Sequence, residues 1–415
     1  MLRVGLTGGI ACGKSHVLRR LGARGLGTMD LDAVAHAVMA PGGTAYADVV
    51  AAFGRGILGP DEAIDRGRLG ALVFGDPAAR SRLDSMVHPR VREEEARRAA
   101  AQEAEGAAVL VSDAALLVEA GAHLRYDRLV VVHCPPAEQL RRLVERDGLA
   151  EAAARARIDS QMPVGEKVRF AHVAIDTLGT IEATESRADR LADGLLELAA
   201  RPRAKRSPGL DRTLGALAHG RGPGPCGLEA ATLAAEALAA GGLELGALAR
   251  RLAPPASGGW YRAAVAGRGA PWPEALAAVL AVWSLARGLD AEWLASAAAS
   301  LGRLTHGDDA SVAGACLAAL VARDVAAGAP LEAVGVRLAV RDRLARRWGG
   351  APPPERVAAA ARAAAGHRGE PELARRAAEA EGGEPAFAGA LVGLAGGTTL
   401  PAAGGLVDLA RRLAA

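Results

Sequence analysis

Apolar residues at Leu2, Val4 and Leu6 open the chain as a short run that predicts a buried strand. Val17, Leu18 and Leu21 then fall on one face of a following helix. The same alternation returns further on. Val109-Leu110-Val111 and Leu129–Val132 are strand-like runs, and Val173-Ala174-Ile175 is a shorter, weaker one. Strands separated by helical stretches predict a parallel sheet with crossover helices. Past residue 209 the pattern changes. Leu233, Ala237 and Leu238, or Leu317, Leu320 and Val321, keep helical spacing, and β-branched runs almost vanish, which predicts an all-α region. Between the two lies Arg201-Pro202-Arg203-Ala204-Lys205-Arg206-Ser207-Pro208-Gly209, basic, proline-bearing and without apolar period. It reads as a solvated linker in preference to a nucleic-acid contact. The expected organisation is an α/β domain over 1–200, a linker over 201–209 and an all-α domain over 210–415.

The turn between the first strand and helix carries the clearest chemistry. Gly8-Gly9-Ile10-Ala11-Cys12-Gly13-Lys14-Ser15 matches G-x-x-x-x-G-K-[ST], the P-loop. Strand, glycine turn and helix N-terminus together aim backbone N–H groups and a positive helix end at phosphate. In this pattern Lys14 reaches the β/γ-phosphates of a nucleotide and the Ser15 hydroxyl ligates Mg²⁺. Lys14 stands out because Lys14, Lys167 and Lys205 are the only lysines in a chain whose cations are otherwise arginines. A compact ammonium suits a crowded phosphate site.

Composition narrows the setting. The chain has 415 residues, half of them hydrophobic, enough for more than one domain with its own core. A net charge of +3 and 3% aromatics argue against nucleic-acid binding and base-stacking platforms. Cys12, Cys134, Cys226 and Cys316 are scattered without CxxC or zinc spacing, which suits a reducing cytosol. No N-terminal signal precedes the first strand, and the Ala-rich apolar stretches are interrupted by Arg or Glu, so neither export nor a membrane span is expected. Cytoplasmic placement is expected. Nothing in the chain fixes how many copies assemble.

Three further features sit where phosphoryl transfer needs them. Met29-Asp30-Leu31-Asp32 falls where a second strand would end, the edge at which open α/β sheets bind ligands. A carboxylate there can accept the proton of an attacking hydroxyl, the role read for Asp32. Capping a helix over Ala33–Val38 is the competing role for the same pair. Val109–Ser112 followed by Asp113 is an apolar strand ending in a carboxylate, the arrangement that completes a Mg²⁺ shell. Arg142 and Arg146 share one helix face and could clamp a transferring phosphate. On spacing alone, a surface salt-bridge face with Glu138 and Glu145 is the better account of these arginines.

These residues carry a resemblance. Leu2–Ile10 with the P-loop, Asp30-Leu31-Asp32, Leu69–Pro77 and His88-Pro89 resemble the dephospho-CoA kinase family. So do Asp113–Gly121, Glu145–Gly148, and Arg157–Pro163 with Lys167, and the likeness covers about residues 1–200. It implies a P-loop kinase fold with a helical acceptor region and a lid. It also implies Mg²⁺-dependent transfer of phosphate from ATP to the ribose 3′-hydroxyl of dephospho-CoA, which gives coenzyme A. Carried over by position, Gly8, Gly9 and Ala11, Cys12, Gly13, Lys14, Ser15 and His16 hold ATP. Asp32 is the base beside the acceptor hydroxyl, and His88 falls in the acceptor-binding helices. Arg142 and Arg146 fall in the lid over ATP, with Lys14, Asp32 and Arg142 as the catalytic set and Ser15 and Asp113 as the metal set. The pattern is departed from at His16, His36, Ala115 and Thr177, none of which removes a phosphate or metal group. Another small-molecule P-loop kinase, or a regulatory protein that holds nucleotide without turnover, are the other readings. His88-Pro89 and Arg157–Pro163 weigh against the first, and the intact Lys14, Ser15, Asp32 and Asp113 against the second.

In the C-terminal half, Leu304–Asp309 and Gly382–Leu391 leading to Leu400-Pro401 resemble the all-α ADP-ribosylglycohydrolase family. The metal ligands that family uses do not carry over: Cys226-Gly227-Leu228 and Glu384-Pro385 stand in their places, and Mg²⁺ requires several oxygen ligands. Asp308 and Asp309 also read as a helix start. The expectation is a relative without catalytic metals that binds ADP-ribose or another nucleotide, or supports assembly. Gly54–Gly59 and Gly222–Gly227 match G-x-G-x-x-G but follow no strand or are broken by prolines, and both are expected to be loops.

Overall fold

The computed structural model describes residues 1–74, 76–201, 274–305, 308–367, 371–381 and 385–396. By its contacts the chain divides into two compact units, Met1–Leu117 with Arg128–Arg201, and Val118–Asp127 with Pro202–Ala415. The stretch Val118–Asp127, which the sequence pattern places in the first half, thus groups with the C-terminal residues. The linker over 201–209 and the Gly222–Gly227 stretch lie outside the described residues, apart from Arg201.

The first unit is built on a parallel sheet of five strands: β1 (Leu2–Gly8), β2 (Gly27–Asp30), β3 (Val109–Asp113), β4 (Arg128–His133) and β5 (Val173–Asp176). Their order is β2-β3-β1-β4-β5. Every expected strand is present, and the central ones, β1, β3 and β4, are buried along almost their whole length. Helix α1 (Lys14–Ala23) joins β1 to β2, and α2 (Leu31–Met39) follows β2 at once. Helices α3 (Tyr46–Phe53), α4 (Arg66–Phe74) and the long α5 (Pro77–Ala104) lie between β2 and β3, with Pro89 inside α5. After β4 come α6 (Pro136–Asp147), α7 (Glu151–Asp159) and α8 (Val164–Val168), and α9 (Ile181–Ala200) closes the unit.

Two apolar cores hold these layers. Leu2, Val4 and Leu6 of β1 pack with Val17 and Leu21 of α1 and with Ala188, Leu191, Ala192 and Leu195 of α9. A smaller core joins Val38 of α2, Val49 of α3, Leu69 of α4 and Val87 of α5. The helical subdomain therefore has an apolar centre of its own. Gly54–Gly59 runs through a 3₁₀ turn (Arg55–Ile57) after α3, a loop as expected.

The described helices of the second unit are α10 (Glu274–Ala286), α11 (Ala291–Thr305), α12 (Asp309–Ala326), α13 (Val334–Gly349), α14 (Glu355–Gly366), α15 (Pro371–Ala380) and α16 (Pro385–Gly396). Helix α12 is the hub, buried along nearly its whole length, and packs against α10, α11 and α13. Asp308 caps it by accepting from the Ser311 N–H at 2.7 Å, so the Asp308-Asp309 pair is a helix start. The rings of Trp283 and Trp293 meet at 5.4 Å, and the Trp293 indole N–H donates to the Tyr126 carbonyl at 3.1 Å. No helix among the described residues is long and apolar enough to cross a membrane.

Candidate active site

Strand β1 ends at Gly8, where a Cβ would run into the Val132 carbonyl, and at Gly9 a Cβ would strike the Gln139 amide. Only glycine lets the chain leave the sheet this close to β4 and α6. The loop then turns through two left-handed residues, Ala11 (φ 60°) and Gly13 (φ 82°). Such a backbone costs an alanine about 1 kcal/mol or more and persists only where surroundings hold it. Here they do. Gln139 donates to the Ile10 carbonyl at 2.8 Å, and the Ile10 N–H donates to Gln161 at 2.9 Å. Thr177 donates through its hydroxyl to the Cys12 carbonyl at 2.8 Å. Gly13 caps α1, so the first-turn N–H groups and the positive helix end face the same hollow.

Facing the loop, the carboxyl edge of the sheet collects acid groups. Asp30 and Asp113 end adjacent strands and are direct partners in the parallel register. The Asp30 carboxylate accepts from the N–H groups of Asp32 and Ala33 at 2.9 and 3.0 Å, so it caps α2. Asp32 occupies the first turn of that helix with its side chain exposed. The two roles read for the pair are thus divided: Asp30 caps, and Asp32 is free to face solvent. Asp113 is almost fully buried and bonded directly to the Lys14 ammonium. Burial pushes its carboxyl above the usual range, Lys14 pulls it back down, and the charges of Asp30 and Asp32 add to the rise. Ser15 is exposed at the start of α1. Ser15 and Asp113 offer hard oxygens, the donor type Mg²⁺ selects. Among the described residues no cluster of three His, Cys, Asp or Glu side chains forms a closed metal cage.

Lys167 completes the floor. It is fully buried, and its ammonium donates to the Ala115 carbonyl at 2.8 Å and reaches the Gly8 carbonyl at 3.4 Å. Thr7 also donates to Ala115 at 3.0 Å. The chain leaving β1 and the chain leaving β3 are thereby tied together just past Gly8 and Asp113.

On the opposite side, Arg141 and Arg142 separate. Arg141 forms surface ion pairs with Glu138 and Glu145. Arg142 shares Glu138 at 2.7 Å but turns to the loop, donating to the Ala11 carbonyl at 3.3 Å and the Thr177 carbonyl at 2.7 Å. Arg146 pairs with Asp147 at 2.6 Å. Ala11, Gly13, Arg142, Glu145 and Arg146 line an open cleft of about 420 Å³. His16 lies 3.4 Å from Glu185. His88 sits on α5 in the helical subdomain, half exposed, with its imidazole 3.7 Å from Asp84.

The sequence pattern left Gln139 and the role of Thr177 unassigned. Gln161 was visible inside Arg157–Pro163, and Gln139 is a buried polar residue on an otherwise apolar helix face.

The dephospho-CoA kinase family profile matches residues 2–183. The dephospho-CoA kinase of Geobacter sulfurreducens is 45% identical over 188 residues, 45% of this chain and 95% of that one. The chain belongs to the dephospho-CoA kinase family. A dephospho-CoA kinase from Leifsonia xyli is 44% identical over 196 residues, covering 47% of this chain and 99% of its own. Among solved structures, TT1252 from Thermus thermophilus aligns over 47% of this chain and 97% of its own, at 29% identity and a TM-score of 0.42. Dephospho-CoA kinase sequence thus fills the first half of the chain, and both relatives are matched almost end to end.

Proposed function

We infer that the first half of the chain phosphorylates the ribose 3′-hydroxyl of dephospho-CoA with ATP, giving coenzyme A and ADP. The observation that carries this reading is a held phosphate cradle facing the Asp30, Asp32 and Asp113 carboxylates, in a chain of this family. Gly8–His16 wrap the phosphates, with backbone N–H groups of the loop and the N-terminus of α1 as donors. Lys14 leaves Asp113 for the β/γ-phosphates, a charge that becomes worth more as the transferring group gains negative character. Asp32, exposed and unused in capping, accepts the proton of the attacking hydroxyl. Arg142 and Arg146 cover the nucleotide from the α6 side. His88 belongs to the acceptor end. Ser15 and Asp113 would hold Mg²⁺, which would supply positive charge against the charge of the transferring phosphate. The test is coupled ADP release with dephospho-CoA, against adenosine and a panel of nucleosides and sugars.

For residues 210–415 our reading is an ADP-ribosylglycohydrolase-like helical module without catalytic metals. It rests on the sequence stretches around Asp308 and Glu384 and on the helical character of the described residues. Titration of the full chain with ADP-ribose by calorimetry tests it, since heat of binding without release of ADP-ribose from a modified protein is the expected pattern.

A further inference from the structure

Cys12 and Cys134 place their sulfurs 3.6 Å apart beneath the P-loop, both almost completely buried. Neither thiol has a role in phosphate chemistry. Cys12 lies between the two left-handed residues of the loop, Ala11 and Gly13. Its N–H donates to the Gly9 carbonyl at 3.2 Å and its carbonyl accepts from Thr177, so any shift of Cys12 moves the whole cradle. Cys134 follows the last residue of β4, a strand paired on both sides, and is the stiffer of the two. The Arg142 guanidinium stands 3.9 Å from the Cys134 sulfur.

We propose that Cys12 and Cys134 are an oxidation site, a dithiol that peroxide converts reversibly to a disulfide, and that this disulfide dismantles the ATP cradle. A disulfide needs its sulfurs about 2.05 Å apart. Closing from the present separation draws Cys12 toward Cys134, because the loop yields more easily than the sheet. The N–H groups on either side of Cys12 then turn away from the positions phosphate oxygens occupy.

The chemistry balances with a hydroperoxide as oxidant. The Cys134 thiolate attacks one peroxide oxygen, the O–O bond breaks, and the departing hydroxide takes a proton to leave as water. Cys12, giving up its proton, attacks the resulting Cys134 sulfenic sulfur. The S–S bond forms, the S–O bond breaks, and hydroxide leaves with that proton as a second water. Two thiols lose two electrons, and one hydrogen peroxide becomes two waters. The division of labour follows the surroundings. The neighbouring Cys12 thiol and the Arg142 charge hold Cys134 below the usual thiol range. Hydrogen bonding to Cys134 and burial push Cys12 up.

The inference rests on ATP binding by this loop, and one experiment keeps the two apart. The full chain is titrated with ATP by calorimetry before and after hydrogen peroxide, and non-reducing peptide mapping follows each sample. ATP binding before oxidation checks the cradle itself. After oxidation we expect a Cys12–Cys134 linked peptide, ATP affinity reduced at least tenfold, and recovery with dithiothreitol. Cys134→Ser and Cys134→Ala should each bind ATP before treatment and keep that affinity afterwards. Absence of the linked peptide in the wild-type chain would overturn the proposal. So would a linked peptide with unchanged ATP affinity, or equal loss of affinity in both Cys134 variants.

Discussion

The Lys14 ammonium, in the first turn of α1, is bonded to the Asp113 carboxylate at the end of β3. Each group neutralises the other, the carboxylate buried and the ammonium mostly so. On the proposed reading Lys14 would turn to the phosphates of ATP and Asp113 would be left to help hold Mg²⁺. Lys14→Ala therefore removes a group used mainly as charge develops, and kcat should fall by about 10²–10³. The unfolding transition should remain a single cooperative step by circular dichroism, because the loop is held by Gln139, Gln161 and Thr177 and not by Lys14.

Asp30 caps α2 and Asp32, exposed, is the base in our proposal, so their substitutions should behave differently. Asp32→Asn should lower kcat by about 10²–10⁴ while the Kd for ATP stays within a few-fold. Asp30→Asn keeps a capping side chain and should cost only tenths of a kcal/mol of stability. Single-turnover kinetics and ATP titration of each variant separate the two roles.

The acid limb of activity should follow Asp113. Its carboxyl is raised, and the charges of Asp30 and Asp32 contribute to the rise. Removing the Asp30 charge lowers that value, so Asp30→Asn should stay active further into acid. Glu138 is the contrasting case. Arg141 and Arg142 hold its carboxyl down to about 2, so the pair's stabilisation is complete above the ordinary carboxylate range and lost only as pH falls towards that value. Glu138→Gln should leave the acid limb in place. Profiles of kcat/KM for ATP between pH 4 and 8 (about the range of interest for a raised carboxyl) compare the two directly.

Arg142 ties α6 to the loop through several bonds at once, and Arg141 does not. Arg142→Lys forfeits the fork that reaches Glu138, Ala11 and Thr177 together. The KM for ATP should rise about tenfold, the cost of roughly 1.4 kcal/mol in binding. Arg141→Lys should leave it within twofold. Steady-state kinetics at fixed dephospho-CoA reads both.

β1, β3 and β4 were legible because each is an apolar run, and the P-loop because glycine, lysine and serine stand at the spacing of that motif. Asp113 was legible from its place at a strand end. The division between Arg141 and Arg142 was not, since both reach Glu138 from one helix and only the fold turns Arg142 to Ala11 and Thr177. Gln139 was hidden for a related reason: a single glutamine has no period, and its value lies in meeting Ile10 across a long sequence separation. The grouping of Val118–Asp127 with the C-terminal unit was equally hidden. It depends on partners such as Trp293 at Tyr126 and Ser300 at His123, contacts that no local pattern announces.

The most direct test of the central claim is ADP release from ATP with dephospho-CoA as acceptor, using the full chain and the panel of nucleosides and sugars as alternatives. Turnover with dephospho-CoA, with the new phosphate on the 3′-oxygen by ³¹P NMR, is the predicted result. Turnover with another acceptor and none with dephospho-CoA would contradict it.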